Sequence, residues 1–198
     1  MNKQHWFLLI LWIMYCVTHS LLADIRLKSK FETLLGTNYK YYRICYSIFA
    51  AITLAMVLCF QISLESIQLF HFPIFQYAGG FLLCLPGAYI MIVCIKKYFY
   101  ELSGIQVLQD KKQEVTLRQD GVHSIVRHPL YFGTLLFVLG LFLFSPLLTN
   151  LIATIMIFIY TLIGIIHEEK QLNLEFGDAY KQYARKVPGL LPRLWAKK

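Results

Sequence analysis

Residues 130–166 read LYFGTLLFVLGLFLF, then SPLLTN, then LIATIMIFIYTLIGII. No residue in this stretch carries a charge. Two apolar runs joined by so short a turn predict two helices packed side by side as an antiparallel hairpin. A bilayer span takes about 20 mostly apolar residues, so the hairpin reads as two spans, with 130–144 the shorter. Working outward toward the N-terminus, three more runs of this kind cover 5–23, 42–62 and 77–95. Between them Phe70, His71, Phe72, Pro73 and Phe75 read as an aromatic stretch at the membrane interface, not as a span. The expected fold is an all-α integral membrane protein with about five transmembrane helices and a C-terminal amphipathic helix.

Composition agrees with that reading. Of 198 residues, 58% are hydrophobic and 15% charged, against about 25% charged in a soluble domain. Disorder, a coiled coil, a disulfide-stapled secreted module and an ordinary cytosolic enzyme are excluded. All five cysteines lie inside apolar runs, without C-x-x-C pairs or metal-ligand spacing, so they read as small buried hydrophobes and no metal is expected. The first run is too long for a signal-peptide core and should remain in the mature chain. The net charge of +8 has a topological explanation. Of the 19 Lys and Arg residues, 18 fall in the first connection, the third connection and the C-terminal tail, with Lys3 alone on the other side. By the positive-inside rule the basic face is cytoplasmic, which needs no nucleic acid partner and places the N-terminus outside and the C-terminus inside.

Polar groups at membrane depth suggest function. Three clusters fall on the basic side: His19-Ser20 after the first span, Arg127-His128-Pro129-Leu130-Tyr131 before the fourth, and His167-Glu168-Glu169 after the fifth. The hairpin brings the second and third together. Pro129 suits the first position of a helix, where its missing N–H costs nothing. The free N–H groups of that turn suit an anion, and the two glutamates suit hydroxyls or a cationic centre. Together they fit a zwitterion bearing a positive centre. Plainer roles stand beside these: Arg127 as a positive-inside flank, and the glutamates as the favoured first turn of a tail helix. Beyond residue 166, Leu172, Phe176, Tyr180, Tyr183 and Val187 recur at steps of three and four, an amphipathic face interrupted by Gly177 and ended by Pro188 and Pro192. A helix resting on lipid headgroups is the alternative reading of that face.

The run Arg-His-Pro-Leu-Tyr-x-Gly, a helical hairpin, then Glu-Glu-x-x-Leu-x-x-x-Phe-Gly-x-x-Tyr-x-x-Tyr-x-x-x-Val-Pro resembles the isoprenylcysteine carboxyl methyltransferase family, over residues 121–192. The resemblance implies an integral membrane enzyme that uses S-adenosylmethionine, with S-adenosylhomocysteine as product. It implies cofactor contacts at His128, Pro129, Leu130, Tyr131 and Glu168, with Glu169 and Arg127 beside them and Val115 to Arg118 and His123 matching less closely. Further upstream, His19-Ser20-Leu21-Leu22-Ala23 and Tyr42-Arg43-x-x-Tyr46 resemble the bacterial methanethiol S-methyltransferases and related NnrU-like membrane proteins. The resemblance also implies an arginine for the prenylcysteine substrate one helical turn before the first glutamate, and this chain has Gly164 there.

The expected reading is therefore a single membrane methyltransferase domain over 1–198, with three spans in 5–95 and the cofactor-binding connection, hairpin and tail in 96–198. The acceptor is expected to be a small apolar thiol such as methanethiol, the setting a multi-pass bacterial inner membrane protein. His19 and Arg43 are the candidates for deprotonating or holding the thiolate; a helix-end histidine bonded to a backbone carbonyl is the alternative for His19. Competing functions are carboxyl methylation of isoprenylcysteine or another lipophilic acceptor, an NADPH-dependent sterol-reductase-like enzyme, and a non-enzymatic NnrU-like membrane protein.

Overall fold

In the computed structural model, the described residues are 2–103 and 116–192. Six helices follow in order: α1 (Lys3–Ala23), α2 (Ile25–Leu35), α3 (Tyr42–Ser63), α4 (Pro73–Ser103), α5 (Pro129–Phe144) and α6 (Leu148–Lys186). Each expected apolar run lies in one of the five long helices. α1, α4, α6 and the segment Arg26–Ser63 that ends in α3 are long and apolar enough to cross a membrane, and α5 is shorter. At 1.5 Å per residue, the 16 residues of α5 reach about 24 Å, less than the roughly 30 Å hydrocarbon thickness. Two elements differ from expectation. The first connection is itself helical, an element not expected from the sequence: Asp24 ends α1 and caps α2, which runs into a 3-10 turn at Gly36–Tyr41. The fifth span and the tail are one helix that continues through His167-Glu168-Glu169 and kinks at Gly177. There φ is +51°, a conformation that glycine adopts without a Cβ penalty.

The chain forms two compact units. The first holds residues up to Leu69 together with Leu147–Met156. Its interior is drawn from α1, where His5, Leu8, Trp12 and Cys16 are buried one turn apart. Trp12 donates through Nε1 to Gln61 Oε1 (3.1 Å), and Gln61 donates through Nε2 to Asn150 Oδ1 (2.9 Å). This chain of amides satisfies polar groups that would otherwise be stranded in an apolar surround. Next to it, Leu148 N–H donates to Ile67 O, and Thr149 N–H to Ser66 Oγ.

The second unit holds Phe70–Lys97, the residues from 113 to Pro146, and Ile157 onward. Its α4 and α5 meet backbone to backbone through glycines seven residues apart on each helix. A Cβ at Gly87 would stand 2.7 Å from Phe137 N and 2.8 Å from Gly133 O, and one at Gly140 2.8 Å from Cys84 N. Small residues permit this approach, which supplies the packing that lipid-facing apolar surface cannot. A three-residue turn, Ser145 to Leu147, reverses the chain into α6. The apolar face of the α6 tail is covered by protein, not left to headgroups: Tyr180, Tyr183 and Val187 form a core with Leu117, Leu172, Phe176 and Ala184 packed against it.

Candidate active site

The site is built in the second unit by the turn before α5. Gly121, at φ +59°, admits the sharp entry into a 3-10 turn, Gly121–Ser124, which Ser124 closes by donating to Gly121 O (2.6 Å). Tyr183 donates its hydroxyl to His123 O (2.6 Å), tying that turn to the tail helix. The backbone of the Arg-His pair then runs along the chain beyond α6. Arg127 N–H donates to Pro188 O (2.9 Å) and His128 N–H to Gly189 O (3.0 Å). Pro129 takes the first position of α5 as expected, and N-cap His128 makes no side-chain cap bond.

The two glutamates divide. Glu169 Oε1 accepts from Arg127 Nε (2.9 Å) and from His128 Nε2 (2.7 Å). Arg127 also donates through Nη1 to Ala184 O (2.9 Å) and Val187 O (3.2 Å), and its guanidinium lies 5.9 Å from the Tyr180 ring centroid. Glu169 and Arg127 thus brace the last turns of α6 against the start of α5. Glu168 is more open, with 43% of its side chain exposed against 23% for Glu169, and among the described residues its ion-pair contact is His128 Nδ1 at 3.5 Å. Burial opposes charge on His128, but the hydrogen bonds to Glu168 and Glu169 outweigh it and raise its pKa above the ordinary histidine value. The two carboxylates stabilise the imidazolium form relative to an ordinary histidine. His123 goes the other way: burial, and then Lys97, push its pKa down.

Between these elements lies an open cavity of about 160 Å³. Glu168, Arg127, His123 and Arg118 are its charged or ionisable lining, and Leu117, Leu172, Phe176, Tyr180 and Tyr183 its apolar and aromatic wall. One carboxylate, two guanidinium groups and aromatic faces can hold a molecule carrying both charges and an apolar or planar part. Of the eight residues expected around a cofactor, Glu168, Arg127 and His123 line this space. His128 and Glu169 are bonded to each other, and Pro129, Leu130 and Tyr131 form the first turn of α5, where the Tyr131 ring lies 5.7 Å from His128. Leu172, Phe176, Tyr180 and Tyr183 were legible only as an apolar face; that the face lines a cavity follows from Leu117 packing onto it. Val115 lies outside the described residues.

His19 and Arg43 belong to the first unit, at the end of α1 and the start of α3. The Tyr46 hydroxyl stands 2.9 Å from the His19 imidazole, and Tyr15 stacks on that ring at 5.7 Å. Tyr42 donates to Leu22 O (2.8 Å), and Arg43 is exposed.

A family model described as phospholipid methyltransferase matches residues 75–179. A protein-S-isoprenylcysteine O-methyltransferase of Schizosaccharomyces pombe is 31% identical over 124 residues, 62% of this chain and 52% of its own length. A methanethiol S-methyltransferase of Crocosphaera subtropica is 26% identical over 187 residues, 90% of this chain and 71% of the relative. Another, of Pseudomonas deceptionensis, is 35% identical over 102 residues, 48% of this chain and 37% of the relative. The chain spans about half the length of the fission yeast relative, and no solved structure matches it. The family model takes in nearly all of α4, all of α5 and most of α6, with the cavity residues from Thr116 to Phe176, and the chain belongs to the phospholipid methyltransferase family.

Proposed function

We propose that the chain is a membrane methyltransferase that uses S-adenosylmethionine and methylates a small thiol. The observation that carries the reading is the cavity of the second unit, in which Glu168 remains open while Glu169 is consumed by Arg127 and His128. Its residues fit a zwitterion with a cationic centre. Glu168 offers a carboxylate to a hydroxyl, amine or positive charge, Arg118 a guanidinium to a carboxylate, and Phe176, Tyr180 and Tyr183 faces for a planar ring. When bound, S-adenosylmethionine supplies an electrophilic methyl group, which the sulfur of a thiolate takes with S-adenosylhomocysteine as the other product. The protein's part is to bind and align, since displacement at a methyl group needs little covalent assistance.

Gly164 supports the choice of a small thiol. A Cβ there would lie 3.6 Å from the Tyr131 hydroxyl, so the position faces the first turn of α5 and holds no cation. An acceptor that brings a carboxylate loses water on entering an apolar site and needs a cation to meet it; methanethiol has no such need. The similarity to methanethiol S-methyltransferases over most of the chain supports the same reading. The test is label transfer from radiolabelled S-adenosylmethionine to a panel of thiols, prenylcysteines and phospholipids with the purified protein in detergent. Label in methanethiol is expected; label in prenylcysteine alone overturns the acceptor, and label in none overturns the activity. His19→Gln and Arg43→Gln in the same assay should lower turnover while leaving cofactor affinity intact, as residues serving the acceptor would.

A further inference from the structure

α2 is the most amphipathic element of the N-terminal half, and the cavity makes no use of it. It begins at once after α1: Asp24 ends the first helix and its side chain accepts from Arg26 N–H (2.8 Å), so the chain passes from a span into α2 with one residue between. Leu27, Phe31, Leu34 and Leu35, at steps of three and four, form one apolar arc, and Lys28 and Lys30 stand on its two flanks. The first unit covers this arc only in part: Leu27 and Phe31 are half-buried, while Leu35 is exposed and Leu34 is 78% exposed. The turn that follows is aromatic and basic. Phe31 packs on Tyr42 (5.1 Å between centroids), Tyr42 on Tyr39 (5.5 Å), and Lys40 Nζ lies 5.1 Å from the Tyr41 ring centroid.

Residues 24–43 hold five cations, Arg26, Lys28, Lys30, Lys40 and Arg43, against two acids, Asp24 and Glu32. Among the described residues none of the five forms an ion pair, and Asp24 is committed to its cap. Five cations against two acids leave a net positive surface that favours anions. Tyrosines at this level and lysines beside an apolar arc match the chemistry of a headgroup layer, where the stems lie in hydrocarbon and the charges reach phosphate.

We propose that residues 24–43 form a collar that binds anionic phospholipid headgroups, with α2 lying in the plane of the interface. The apolar arc at the end of a span selects a lipid surface over a free anion or a nucleic acid, neither of which covers Leu34. The net positive charge selects anionic over zwitterionic lipid.

Hydrogen–deuterium exchange of the full chain in nanodiscs tests this, comparing phosphatidylcholine alone with phosphatidylcholine plus phosphatidylglycerol. The amides of α2 should exchange more slowly in the anionic discs, while α1 and α3 exchange alike in both. Lys28→Gln with Lys30→Gln should reduce that protection by about fivefold per cation removed, the size of one basic residue's attraction to an anionic surface. High salt should remove the difference between discs for the unsubstituted protein, a reading that needs no variant. Equal exchange in both discs overturns the proposal, as does protection that survives both substitutions. Protection conferred on neutral discs by inorganic phosphate would make the site a free-anion site and overturn the lipid assignment.

Discussion

Removing each member of the glutamate pair should give opposite phenotypes. Glu169 accepts from Arg127 and His128, whose side chains are 16% and 2% exposed, so Glu169→Ala leaves two enclosed donors without their acceptor. Breaking a buried pair from one side costs about 3–5 kcal/mol. Arg127 keeps its bonds to Ala184 O and Val187 O, which argues for the lower end, about 3 kcal/mol. For a chain of this length that lowers the melting midpoint by about 6–12 °C. Glu168→Ala loses a 3.5 Å contact from a half-exposed carboxylate, and its effect on stability should stay below about 1 kcal/mol. Its loss should fall on cofactor affinity. A hydrogen bond to a charged group is worth about 1.5–3 kcal/mol, or roughly ten- to a hundredfold in Kd. Thermal melts and titration calorimetry with S-adenosylmethionine in detergent read the two quantities on the same samples. Glu169→Ala melting like the unsubstituted protein, while Glu168→Ala loses stability with affinity intact, would refute the assignment of roles.

Gly87→Ala should destabilise by about 1–3 kcal/mol, read as a lower melting midpoint, because the added Cβ meets backbone atoms of α5 that cannot rotate away. Gly36→Ala meets no atom within 4 Å and should cost only the strain of its positive φ. Stability should also depend on pH through His128. A histidine whose pKa is raised on folding contributes fully below the unfolded value of about 6.5 and loses that contribution as pH rises through the folded value. Melting midpoints should therefore fall as pH rises above about 6.5, and His128→Asn should flatten that slope. Topology reporters fused at Asn150 and at Lys198 should report opposite sides of the membrane, the C-terminal one cytoplasmic; the same side from both would refute the five-span arrangement.

The spans and the hairpin were legible because apolar run length is a property of local sequence, and the turn at 145–150 leaves the chain one geometry. Pro129 was legible for the same reason: its fixed φ and missing N–H suit one helical position. The continuity of α6 was not, because the polar run His167-Glu168-Glu169 looks like an exit from the bilayer whether or not the helix stops there. Nor was the division between Glu168 and Glu169. Neighbours in sequence point about 100° apart on a helix, and which one meets Arg127 depends on the Pro188–Gly189 backbone brought alongside from beyond the tail. The glycines of α4 and α5 carry no signal until the partner helix is known, since the same residue in lipid would be a mere gap. α2 was hidden by its charges, which read only as a basic connection between spans although its leucines keep a helical period.

Whether the cavity beside Glu168 holds the methyl donor is decided by ultraviolet cross-linking of labelled S-adenosylmethionine to the purified protein, followed by peptide mapping. Label is expected in peptides covering residues 116–131 and 168–183, competed by unlabelled cofactor and strongly reduced in Glu168→Ala. Label confined to α1 and α3, or unaffected by that substitution, would contradict that placement.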